Sequence, residues 1–257
     1  MGLFFGGDEE RFIPGVRKAG FSRYKEILEA NYKDFFLVGF VTLVFYLPFA
    51  LALAWAVLAE RSAAVLLSGV VGGAVAGPGY ACLVDLILRR LRDDKADRWV
   101  CWRRSMKQNA AASLLPGAVQ GLLLAVLVYS GALMLWGRAP ATVGTLLLMA
   151  LSALVGTMLL TVWWTQVVLF EQKTVLRLRN AVLFCILRFG KAALSAALQL
   201  VWWAAMFLLL PWTAFVVPVL GVWYILFVAL HIIYPALDGD FRVEEQIMEK
   251  FPERLGD

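Results

Sequence analysis

Long apolar runs separated by short charged ones organise this chain. From Phe35 to Ala59 no charged residue occurs, and an apolar run of that length crosses a hydrocarbon core of about 30 Å with some tilt. After the turn Glu60-Arg61-Ser62, a second run extends from Ala63 to Leu88. Leu114 to Leu135 and Thr142 to Phe170 form two more, joined by the turn Trp136 to Pro140. Ala192 to Tyr234 is apolar for 43 residues, too long for one crossing and enough for two joined by a tight turn around Pro211 to Pro218. The pattern therefore predicts six spans, 35–59, 63–88, 114–135, 142–170, 192–211 and 215–236.

The connections are patterned as well. Phe21, Tyr24, Ile27 and Leu28 share one helical face of the segment Phe21 to Asp34, with Arg23, Lys25, Glu26 and Glu29 elsewhere, which predicts an amphipathic surface helix. Trp99, Trp102, Met106 and Ala110 fall on one face of the second link, flanked by Arg103, Arg104 and Lys107. This is the arrangement of an interfacial helix anchored by indole rings. A second basic link, Thr174 to Lys191, mirrors it. Span two, link and span three are echoed by span four, link and span five, which suggests a parallel internal repeat. The expected organisation is a cytoplasmic arm with an amphipathic helix (1–34), a six-helix transmembrane domain (35–237) and an acidic tail (238–257) that either folds as a short surface helix or stays mobile.

Composition agrees with that division. The hydrophobic fraction is 61% and the charged fraction 17%, against about 45–50% apolar in soluble domains. The excess apolar surface needs lipid. A net charge of +5 raises nucleic acid as a partner, but the basic residues flank apolar spans and form no separate basic domain, so that class is excluded. Of the 24 Lys and Arg, only Arg61 and Arg138 fall in the first and third turns, and the fifth turn has none. By the positive-inside bias the termini and both long links are cytoplasmic. The 34 residues before the first span are mostly polar and do not read as a signal peptide, and Gly6 stands where a myristoylation motif needs Ser or Thr.

Gly69, Gly73 and Gly77 form a tandem small-xxx-small ridge in span two, and Gly117 and Gly121 form another in span three. Such ridges let helix backbones approach closely. Pro78 is expected to kink span two. Asp85 is the only acidic residue inside a predicted span, a position that by default marks function. Its offset of four from Arg89 equally supports a helical ion pair. Gln120, Gln166 and Gln199 either line a polar path or act as interhelical hydrogen-bond glue. His231, the only histidine, is a candidate proton-relay group that lacks further relay partners in sequence. Cys82, Cys101 and Cys185 show neither CxxC spacing nor a metal-ligand pattern. The paired tryptophans Trp163-Trp164 and Trp202-Trp203 read as aromatic belts before sugar-stacking platforms. No nucleophile with a base, carboxylate pair, metal set or nucleotide loop is readable, so neither catalytic residues nor a cofactor or metal is expected.

Gly77-Pro78-Gly79-Tyr80-Ala81, Leu86 through Asp93, Trp102-Arg103-Arg104, Lys107-Gln108-Asn109 and Ser113 through Ala118 together resemble the YesL-like family, bacterial integral membrane proteins carrying a domain of unknown function. Met1-Gly2-Leu3-Phe4, Pro14-Gly15 and Tyr234-Pro235-Ala236-Leu237 resemble it too, while Asp93-Asp94-Lys95-Ala96-Asp97 departs from it, since aromatic residues are more usual there. The resemblance implies a small helical bundle in the bacterial plasma membrane without catalytic activity and an association with carbohydrate uptake. The expectation is an all-α, polytopic membrane helical bundle that acts as an accessory or scaffold component. Its partners would be the lipid bilayer and either another membrane protein or a second copy of itself. The alternative is a small-solute transporter with its site at a broken second span.

Overall fold

The computed structural model describes residues 20–250. The N-terminal motifs Met1-Gly2-Leu3-Phe4 and Pro14-Gly15, and Phe251 of the tail, lie outside the described residues. Helix α1 spans Gly20–Leu58, α2 Ser62–Leu91, α3 Arg98–Leu135, α4 Val143–Leu169, α5 Thr174–Leu187 and α6 Phe189–Leu208. A 3-10 turn (Trp212–Phe215) and a π turn (Val217–Gly221) lead into α7, Val222–Phe241, and α8 covers Val243–Lys250. No strand occurs among the described residues. Six of these helical segments are long and apolar enough to cross a bilayer, where only structures that satisfy every backbone polar group internally are tolerated. The protein is a multi-pass membrane helical bundle.

Two helices run further than the hydrophobic pattern suggests. The amphipathic segment 21–34 is continuous with span one in α1, and the link carrying Trp99 and Trp102 is continuous with span three in α3. Neither junction holds a helix breaker: Asn31 to Phe36 has no Gly or Pro, and Asn109-Ala110-Ala111-Ala112 is rich in the best helix former. Helix α3 starts where the Asp97 carboxylate accepts hydrogen bonds from the amides of Trp99 (2.8 Å) and Val100 (3.3 Å), an N-cap. In the basic link Thr174 to Lys191 the chain does break, at Arg188 between α5 and α6. The two proposed repeat units therefore differ at this point. The break in span two on which the transporter alternative relies is absent. Helix α2 continues through Pro78, with neighbouring helices packed tightly on both sides of the glycine cluster. Helix α7 likewise runs past Pro235 to Phe241 and ends at Arg242, whose φ is +48°.

Helix α2 is the interior element. Of its most apolar stretch 67% is buried, against 11% for α3 and 17% for α4, so α2 faces protein where the others face lipid. Toward its C-terminal end, Leu83 to Leu88 packs with Phe35, Trp164, Phe184, Phe227, Leu230 and Leu237 into one core, to which α3 and α6 add Cys101, Ala192 and Ala196. Leu51, Trp55, Leu147, Leu148, Val201 and Phe207 are exposed. In water so much apolar surface would drive aggregation. In a bilayer it is ordinary.

Candidate functional site

The tightest contact in the bundle is the seam between α2 and α3. A Cβ on Gly69 would lie 2.8 Å from the Ala125 Cβ, and one on Gly77 would lie 2.5 Å from the Ser113 carbonyl oxygen. Gly73 meets the backbone of Gly117 and Gly121 in the same way. All five predicted packing glycines are thus brought together in one antiparallel interface. The sequence ridge did not show that α2 carries a second glycine face. Gly72 and Gly79 receive the rings of Phe49 and Phe45 from α1, with approaches of 2.6 and 2.7 Å to a Cβ placed there. The volume around the glycine cluster is filled from both sides.

At one end of the bundle lies an ion-pair network. Asp85 is 4% exposed, and its two oxygens share the single Arg89 Nε–H, each at 3.1 Å. Arg89 reaches on to Asp94 at 3.0 Å. The pairing of Asp85 with Arg89 is the one that the four-residue spacing indicated. Sequence reading did not identify Asp34, which bridges Arg90 at 2.7 Å and Arg98 at 2.9 Å. Nor did it identify Arg23, which pairs with Asp93 at 2.5 Å and donates to the Leu91 carbonyl at 3.4 Å. These bonds hold the start of α1 against the α2–α3 connection. The only local signal was that Asp34 is the last charge before the apolar run of α1. Further round, Arg188 pairs with Asp240, and that carboxylate holds the guanidinium pKa above its ordinary value.

The opposite end is sparse. There Arg138 of the third turn pairs with Glu60 of the first, and the Tyr129 hydroxyl donates to the Glu60 carbonyl at 3.4 Å.

Within the membrane a polar node joins four helices. Trp164 Nε1 of α4 donates to the Gln120 side-chain oxygen of α3 at 2.5 Å, and the Gln120 amide donates to the Tyr46 hydroxyl of α1 at 3.2 Å. The Tyr80 ring of α2 stands edge-on to Trp164, with centroids 4.9 Å apart. Gln199 of α6 donates to Thr161 Oγ1 of α4 at 2.9 Å. Gln120 and Gln199 therefore act as interhelical glue. Gln166 is fully buried, and neither end of its amide has a hydrogen-bond partner among the described residues. His231 packs against Tyr24 and Phe227, with centroids 5.7 and 6.0 Å apart. The structure does not bring Gln166 and His231 into a hydrogen-bonded group with Asp85 and Arg89.

Of the interfacial anchors, Arg103 and Lys107 are exposed and Arg104 half-buried. Trp99 is half-buried, with its ring 5.9 Å from the Arg98 guanidinium. Trp102 turns inward to pack near Phe45, so its indole contributes to the bundle rather than standing free at the interface. The three cysteines are buried and unbridged. No group of three or more His, Cys, Asp or Glu side chains that could hold a metal occurs among the described residues. Comparison with family models, with curated proteins and with solved structures finds no match for this chain.

Proposed function

We propose that the protein is a non-catalytic scaffold or accessory component of the YesL-like type in the bacterial plasma membrane, associated with carbohydrate uptake systems. In this reading the charged end, both termini and the exposed Arg103 and Lys107 face the cytoplasm, and the Glu60–Arg138 pair faces outward. The observation that carries it is the filling of α2. The glycines that would have lined a transport site receive Phe45, Phe49 and the α3 backbone instead. A filled bundle that presents the exposed Arg103 and Lys107 suits the holding of a partner or of anionic lipid. Reconstitution into proteoliposomes tests this directly. Entry of labelled mono- and disaccharides no faster than into protein-free vesicles is expected, together with cross-linking in cells from Arg103 and Lys107 to a component of an uptake system. Saturable solute entry would overturn the scaffold reading.

A second reading, a small-solute transporter, draws on Gln166, since a fully buried amide without partners is costly and is the kind of group a polar path retains. Its test is the same flux assay with Gln166→Leu, which would abolish saturable entry.

A further inference from the structure

A cleft of about 330 Å³ opens at the charged end, between the first turns of α1 and the α2–α3 connection. That volume falls in the range of about 300–1,000 Å³ of small-ligand sites. Its lining holds three cations, Arg23, Arg90 and Lys95, and four carboxylates, Glu26, Asp34, Asp93 and Asp94, with Ile27 and Ala30 as an apolar wall. A simple anion would meet an excess of carboxylates, and a simple cation would meet three positive side chains. A ligand carrying both signs a few ångströms apart fits this lining best.

The partners inside the cleft assign the two signs. Arg23 is engaged by Asp93 and Glu26, and Arg90 by Asp34. Lys95 is exposed and makes no ion pair among the described residues, so it is the donor left for a phosphate. Glu26, 42% exposed at its side chain and held among the described residues by Arg23, stands at the rim as an acceptor for an ammonium group. Arg90 lines the cleft at 7% side-chain exposure and is held by Asp34 and by the Asp94 and Ala96 carbonyls, with only its Nε lacking a hydrogen-bond partner among the described residues. The cleft also lies at headgroup depth: on the same stretch of α1, Tyr32 is 51% exposed with Lys33 Nζ 5.9 Å from its ring, an aromatic and lysine pairing typical of the membrane interface.

We propose that this cleft binds a zwitterionic amine–phosphate headgroup of the phosphoethanolamine class, with Lys95 on the phosphate and Glu26 on the ammonium. This goes beyond the scaffold reading and stands independently of it. The test is equilibrium binding to the full-length protein in mild detergent, with short-chain phosphatidylethanolamine, short-chain phosphatidylglycerol and soluble O-phosphoethanolamine as probes. Phosphatidylethanolamine is expected to bind at least about tenfold more tightly than phosphatidylglycerol. Lys95→Ala and Glu26→Ala should each remove about tenfold, and Lys25→Ala, outside the cleft, should change nothing. Equal binding of soluble O-phosphoethanolamine would identify a free headgroup as the ligand, and its failure to bind would identify the lipid. Phosphatidylglycerol binding as well as phosphatidylethanolamine, or no probe binding to the wild-type protein, would overturn the proposal whatever the variants do.

Discussion

Gly73 and Gly121 face each other across α2 and α3 so closely that a Cβ on Gly73 would lie 2.7 Å from the Gly121 Cα. Backbone, unlike the end of a flexible side chain, cannot swing aside. Gly73→Ala should therefore force the helices apart and lower stability by about 1–3 kcal/mol, and Gly73→Leu should prevent assembly of the hairpin. Gly131→Ala, where nothing lies within 4 Å, should be neutral or stabilising because alanine is the better helix former. Thermal denaturation in detergent checks the contrast, and equal effects at the two sites would contradict the close seam.

The Asp85–Arg89 pair is buried, with side-chain exposures of 5% and 12%. Arg89→Met leaves the buried Asp85 carboxylate without its paired cation and should cost about 3–5 kcal/mol, whereas Asp85→Asn should cost less, because Asp94 still holds Arg89. The double variant Asp85→Leu/Arg89→Met should recover much of that loss, because a well-packed apolar replacement avoids desolvation of both ions. A double variant as unstable as the worse single one would show that Asp94, which also holds Arg89, dominates the network.

Glu60 and Arg138 tie the first and third turns at the sparse end of the bundle. Replacing both with cysteine should allow an oxidative or short bifunctional cross-link between the turns. Because the pair is partly exposed, alanine at either position should change stability by no more than about 1 kcal/mol. A membrane-impermeant thiol reagent should label Arg138→Cys from outside intact cells, and labelling only after permeabilisation would reverse the proposed orientation.

Burial pushes the Cys185 thiol up to about 11. At pH 8 only about one molecule in a thousand would carry the thiolate there, so maleimide modification of the folded protein should be slow and rise about tenfold per pH unit. Because the folded-state value lies above the ordinary 9.0, this thiol favours folding below pH 9, and that contribution is lost as pH rises through the interval to about 11. Rapid labelling at pH 7 without denaturant would show that the α4–α5 contact opens.

The charge spacing of Asp85 and Arg89 was legible because both sit on one helix four residues apart, a local relation. The same holds for Gly69, Gly73 and Gly77, whose shared face follows from helical periodicity alone. Asp34 was not legible. Its partners Arg90 and Arg98 lie 56 and 64 residues away, and no period connects them. Nor could the pattern show that Gly72 and Gly79 form a second face filled by Phe49 and Phe45, or that Trp102 turns inward.

The sequence by itself determined that this is a membrane protein of six crossings and where the charged segments fall, because apolar length and helical period are properties of contiguous residues. The tertiary structure alone decided that α2 is the central helix, that Tyr46, Gln120 and Trp164 join three helices, and that Arg23 and Asp34 fasten α1 to the α2–α3 connection while shaping the cleft. The physical reason lies in the solvent. In water, polar against apolar separates outside from inside, but lipid is as apolar as a protein core. Hydrophobicity therefore marks which residues enter the membrane and leaves open which of them face one another there.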